Sequence, residues 1–217
     1  MVTVDSGERA RTIPKRAGDL ITLICGRRSV RKYLDRPVER ELLFQMIEAA
    51  CWAPSPHGRQ PWRFAILTQP EPKARLAEQM GETWRANLQM DGQAEEIVAL
   101  RLAKSHQRIL HAPAIIIPCL YLADLDHYSD EKRQADETTM AIQSLGAAIQ
   151  NMLLMAYDLG LDTCWMCAPL FCPEVACRAL KLDTRLIPHA LITVGYAAAD
   201  PQRRERLPLK EMITYLD

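Results

Sequence analysis

From about Glu131 to Leu159 the chain carries one long helical stretch. Its apolar residues, Met140, Ile142, Leu145, Ala148, Ile149, Met152, Leu153 and Ala156, cover more than one face. Such a helix belongs at the centre of its fold, covered by the rest of the domain or by a second subunit. The neighbouring segments supply that cover. Trp62–Thr68 and Ala114–Leu122 read as strands, the second with Pro118 implying an edge or a bulge. Asp162–Ala168 and His189–Ala197 read as two more strands. Between them fall a helix from Asp19 to Gly26 capped by Asp19, a helix opening at Pro37 and stopping before Pro54, two helices over 71–111 broken near Asp91 and Gly92, and a short helix from Pro173 to Leu180. Strands separated by helices predict an α+β domain with a mixed sheet flanked by helices. No repeat or Gly/Ser-rich linker divides the chain, so residues 19–217 read as one domain after an N-terminal arm over 1–18.

Charge narrows the partners. The 217 residues balance 27 Lys and Arg against 27 Asp and Glu, which argues against nucleic acid, and any bound anion must be met by a local cluster of arginines. The longest uncharged aliphatic run, Ala112–Leu122, has 11 residues and two prolines, too short to span a bilayer. The first 19 residues mix both charge signs without an apolar segment, unlike a secretory signal, and a cytoplasmic location follows. Seven cysteines among apolar neighbours then read as reduced thiols.

Two segments stand out chemically. Arg27-Arg28-Ser29-Val30-Arg31 gathers three guanidinium groups and a hydroxyl in five residues, suited either to a phosphate or to a solvated, ion-paired surface. Ala53 to Phe64 (APSPHGRQPWRF) is stiffened by Pro54, Pro56 and Pro61 and relaxed at Gly58; it reads equally as a ligand loop or as a rigid connector with Trp62 in the core. His57 in this loop is a candidate proton donor or substrate contact, or a plain surface histidine. Cys164-x2-Cys167-x4-Cys172-x4-Cys177 raises a metal site, but Cys164 and Cys167 would project to opposite faces of a strand. Structural thiols are the expectation, with no metal.

In order along the chain, Arg27–Arg31, the proline loop, the long helix ending in Gly160-Leu161-Asp162-Thr163-Cys164-Trp165, and Val194-Gly195-Tyr196 followed by Arg203, Arg204 and Arg206 resemble the FMN-binding nitroreductase family. The resemblance covers roughly residues 19–217. The Pro-His pair and the Thr163–Pro173 segment look most like the nitroreductase-like C-terminal domain of the ligase that adds glutamate to the deazaflavin coenzyme F-420. The resemblance implies a nitroreductase-like fold, with the long helix at a homodimer interface and tightly bound FMN reduced by NAD(P)H. It implies phosphate and ribityl contacts from Arg27, Arg28, Ser29, Arg31, Arg204 and Arg206. Pro54 and Ser55 would lie by the ring across an intertwined interface, and backbone N–H groups near Met166, Cys167 and Ala168 would face flavin N5 and O4. The substrate would be a small organic molecule, for example a deazaflavin precursor. A generic quinone or nitroaromatic reductase and a non-catalytic flavin or deazaflavin-binding module are the alternatives. Gly58 and Cys167 depart from the family, where many members carry Asn and an acidic residue.

Overall fold

The structure, a computed structural model, describes residues 19–199, 201–202 and 205–216. Five strands, β1 (Trp62–Leu67), β2 (Ala114–Tyr121), β3 (Asp162–Met166), β4 (Leu186–Pro188) and β5 (Leu191–Gly195), form one sheet in the order β1-β2-β5-β3, with β4 paired to β2. The ladders between these strands are antiparallel. A parallel bridge from Ser29 to Thr163 continues the sheet beyond β3 and makes it mixed.

Alternation along β2 divides the core in two. Ala114, Ile116 and Leu120 pack on one face with Leu42, Leu43 and Met46 of α2 (Arg40–Cys51) and with Leu145, Ile149 and Met152 of α5 (Glu131–Asp158). Ile115, Ile117 and Cys119 pack on the other with Leu76, Ala77 and Met80 of α3 (Pro70–Met90) and with Ala176 and Ala179 of α6 (Pro173–Leu180). Each buried Leu or Ile contributes roughly 1.5–3 kcal/mol. The α4 helix (Glu95–Leu110) lies against α3, and the short α1 (Leu20–Gly26) touches α5. Asp130 caps α5, its Oδ1 accepting from the Arg133 N–H at 3.0 Å.

Three expectations change in detail and a fourth, the bulge at Pro118, is met. α2 starts at Arg40 rather than Pro37, because Glu39 is still extended at ψ 137°. Pro118 lies at a bulge, one of the two readings expected: β5 pairs with residues 114–116 of β2 and β4 with 119–121 in a register shifted by one, leaving a gap between them with one extra residue on the β4–β5 side. The Pro118 carbonyl accepts from His189 N–H at 2.9 Å on that side, so its nitrogen faces the same gap and no ladder bond is lost. The strand expected over 162–168 stops at Met166, and Ala168–Phe171 is a 3-10 turn. The strand expected over 189–197 is confined to Leu191–Gly195, with β4 as an additional short strand before it.

Gly195 closes the end of the sheet. A Cβ there would lie 2.8 Å from Pro113 and from the Tyr33 ring, so only glycine lets these three meet. Among the described residues no helix is long and apolar enough to cross a membrane.

Candidate functional site

The arginine segment runs beside β3, joined to it by an isolated parallel bridge between Ser29 and Thr163. α1 opens on Asp19, whose Oδ1 accepts from Thr22 N–H at 3.0 Å, and the chain then runs out alongside β3. Val30 N–H donates to the Thr163 carbonyl at 2.9 Å, and the Val30 side chain is buried. The Tyr33 hydroxyl is 2.7 Å from the Val30 carbonyl and 2.7 Å from Thr193 Oγ1, and Leu34 N–H donates to the Tyr196 carbonyl at 2.8 Å. With Val30 turned inward, Arg27, Ser29 and Arg31 line the outside of a fixed backbone.

They border a cavity of about 460 Å³ together with Ile24, Cys25, Arg28, Pro201, Gln202 and Arg206. No carboxylate lines it among the described residues. The Arg27 pKa is lowered, first by burial and then by the positive charges of Arg206 and Arg28. Among the described residues, several guanidinium groups are gathered with no carboxylate in the cavity lining, an arrangement able to meet an anion locally in a chain of zero net charge. The arginines do not act alike. Arg28 turns back, its Nη1 donating to the carbonyls of Cys25, Gly26 and Arg27 at 3.0, 2.7 and 3.1 Å, and so closes the end of α1. Its Nε is buried without a hydrogen-bond partner among the described residues. Arg204 lies outside the described residues, as does Arg203. Ile24, Cys25 and Gln202 were not expected to line the site; α1 had only a helical pattern to offer, and Gln202 carries no motif.

The proline loop forms a separate surface. Pro54 and His57 are exposed and Ser55 is half-buried. His57 (φ 53°), Gly58 (φ 65°) and Gln60 (φ 50°) are all left-handed. That explains the glycine at 58, since glycine and asparagine are the residues that enter this region most readily. The turn closes through Gly58 N–H on the Ser55 carbonyl and Gln60 N–H on Ser55 Oγ, both at 3.1 Å. At the end of β3, Met166 is half-buried while Cys167 and Ala168 are exposed, leading into the first residues of a 3-10 turn. N–H groups that open such a turn have no partner within it. None of Pro54, Ser55, His57, Met166, Cys167 or Ala168 lines the arginine cavity within a single chain.

The cysteine cluster is dispersed. Cys164, Cys172 and Cys177 are buried, Cys167 is exposed, and no group of three potential metal ligands occurs among the described residues. Burial raises the Cys164 thiol despite the opposing charges of Arg31, Arg108 and Arg27, and likewise raises Cys172 and Cys177.

The nitroreductase family profile matches residues 24–196, and the chain belongs to that family. An NADH dehydrogenase of Thermus thermophilus is 28% identical over 214 residues, spanning 91% of this chain and 96% of the relative. Among solved structures, a BluB-like flavoprotein of Clostridium difficile superposes with a TM-score of 0.80 at 23% identity, over 93% of this chain and 100% of that one. A Desulfovibrio desulfuricans protein assigned as a nitroreductase and crystallised in complex with FMN gives a TM-score of 0.72 at 26% identity, over 93% and 98% of the two chains.

Proposed function

We propose that the protein is an FMN-dependent oxidoreductase that passes reducing equivalents from NAD(P)H to a small organic acceptor. The observation that carries this is the arginine cavity without a carboxylate, at the site where the family resemblance locates the flavin phosphate. Its donor set fits the group. Arg27 and Arg206 offer charged donors and Ser29 a hydroxyl, beside Arg28, whose buried Nε has no partner among the described residues. Arg31 stands on the same edge for the ribityl chain or the ring. When bound, FMN supplies reversible two-electron chemistry at N5 between a reduced nicotinamide and an acceptor.

The chain's own part is binding, orientation and proton supply. At the end of β3 and the opening of the 3-10 turn that follows it, backbone N–H groups near Met166, Cys167 and Ala168 provide donors for developing negative charge without reorganisation. Pro54 and Ser55, contributed by a second copy, wall off the ring from water. His57 gives the acceptor a proton as it takes up hydride and regains one from water, so that NAD(P)H, acceptor and one proton yield NAD(P)+ and reduced acceptor.

An intertwined homodimer suits this arrangement, because the separate surfaces described above are then completed by two chains. It also gives cover to Leu207, Leu209, Met212, Tyr215 and Leu216 in the C-terminal segment, each more than half exposed in the single chain. A cytoplasmic location accords with seven free thiols.

For the acceptor we favour an unsaturated deazaflavin precursor, following the resemblance of the Pro-His and Thr163–Pro173 segments to the deazaflavin ligase domain. Steady-state NAD(P)H oxidation by the FMN-loaded protein, with such a precursor beside simple quinones and nitroaromatics, tests it. Selective turnover of the precursor is expected. Rapid reduction of quinones with none of the precursor would assign the generic activity instead, and absence of NAD(P)H oxidation with every acceptor would leave a flavin-binding module.

A further inference from the structure

The loop that carries His57 holds an unfavourable backbone and is tied to a second loop by a residue outside every motif. His57 and Gln60 are non-glycine residues in left-handed conformation, on either side of Gly58 and Arg59. Left-handed backbone crowds a Cβ against the neighbouring carbonyl, so the turn persists only where other contacts determine it. Those contacts are present. The Ser55 hydroxyl closes the turn on Gln60 N–H, and Arg63 Nη1 donates to the carbonyls of Gln60 and Trp62 at 3.1 and 2.7 Å. Arg59 Nη2 pairs with Asp126 Oδ1 at 2.7 Å, and Arg63 reaches Asp124 at 3.5 Å. Asp124 and Asp126 both lie between β2 and α5, so the turn is tethered to the segment that leads into the long helix.

We propose that Asp126 is a positioning residue for His57. Through Arg59 it holds the Ser55–Gln60 turn in its left-handed form, which fixes the direction in which the imidazole leaves the backbone. This rests on the reading of His57 as proton donor to the acceptor. Asp126 itself touches neither flavin nor substrate; it acts through Arg59. The pair is partly exposed, with side chains 39% and 42% accessible, so its loss is expected to loosen the turn without unfolding the domain.

The experiment compares Asp126→Ala, Asp126→Glu, Arg59→Gln, His57→Ala and the His57→Ala/Asp126→Ala double variant. Three quantities are measured: FMN content, single-turnover oxidation of the reduced enzyme by acceptor, and the rate of trypsin cleavage after Arg59 in Asp126→Ala and Asp126→Glu, which keep that arginine. Asp126→Ala and Arg59→Gln should slow acceptor reduction about tenfold with FMN content unchanged. Asp126→Ala should also speed cleavage after Arg59 several-fold, and Asp126→Glu should restore both. The double variant should be no slower than His57→Ala alone. An unchanged rate in Asp126→Ala, additive losses in the double variant, or loss of FMN would each overturn the proposal. A wild-type protein that fails to oxidise NAD(P)H with FMN would overturn the functional reading, and the positioning role with it, before any variant is compared.

Discussion

Tyr196, just after β5, is joined to Glu39 at the start of α2 by a hydrogen bond, the phenol donating to Glu39 Oε2 at 2.7 Å. Burial, reinforced by that carboxylate, pushes the Tyr196 phenol up to about 12. The unfolded chain releases this proton near pH ~10 while the native state keeps it, so stability falls as pH rises from about 10 to about 12. Urea denaturation at pH 9 and pH 11.5 should show a smaller alkaline loss for Tyr196→Phe than for wild type, with a remainder from Tyr33, also raised by burial. An identical loss would contradict the assignment. At this scale the sequence was informative about chemistry and not about orientation. Arg27–Arg31 was readable as an anion cluster because three guanidinium groups in five residues are conspicuous. That Arg28 would close α1 depends on where a helix ends relative to a side chain, and the left-handed turn that holds His57 is tied through Arg59 to Asp126, 67 positions further along the chain.

Helices α3 to α6 were legible because periodicity and breakers agreed: Asp91 and Gly92 divide α3 from α4, and Gly160 follows α5. The misplaced features share one cause. Where β3 and β5 end depends on which neighbours lie beside them, and a three-residue strand such as β4 has too few residues to show a period. The junction of β5 with Pro113 and Tyr33 makes the same point, for Gly195 reads as an ordinary strand end until the three are seen to touch. Gly195→Ala should destabilise the protein by about 1–3 kcal/mol, measured as a lowered thermal midpoint. Because Tyr33 anchors Val30, the variant should also bind FMN more weakly; an unchanged midpoint would mean that Pro113 and Tyr33 move aside freely.

For the molecule as a whole, zero net charge coexists with a concentrated cluster of arginines. The arginines gather where an edge segment is joined to β3, and the compensating excess of carboxylates lies elsewhere in the chain. The family profile and the fold agree on the scaffold, and the cavity lining agrees with a phosphate-bearing cofactor. The most direct test is the FMN content of the purified, FMN-reconstituted protein, read from its visible spectrum and from flavin released on denaturation, for wild type and Arg27→Ala. The prediction is about one FMN per wild-type chain and an affinity weakened at least about tenfold in Arg27→Ala, as loss of a charge-assisted hydrogen bond entails, with the thermal midpoint of the FMN-free protein unchanged. A wild-type protein that takes up no FMN, or an Arg27→Ala protein that holds it with undiminished affinity, would contradict the account.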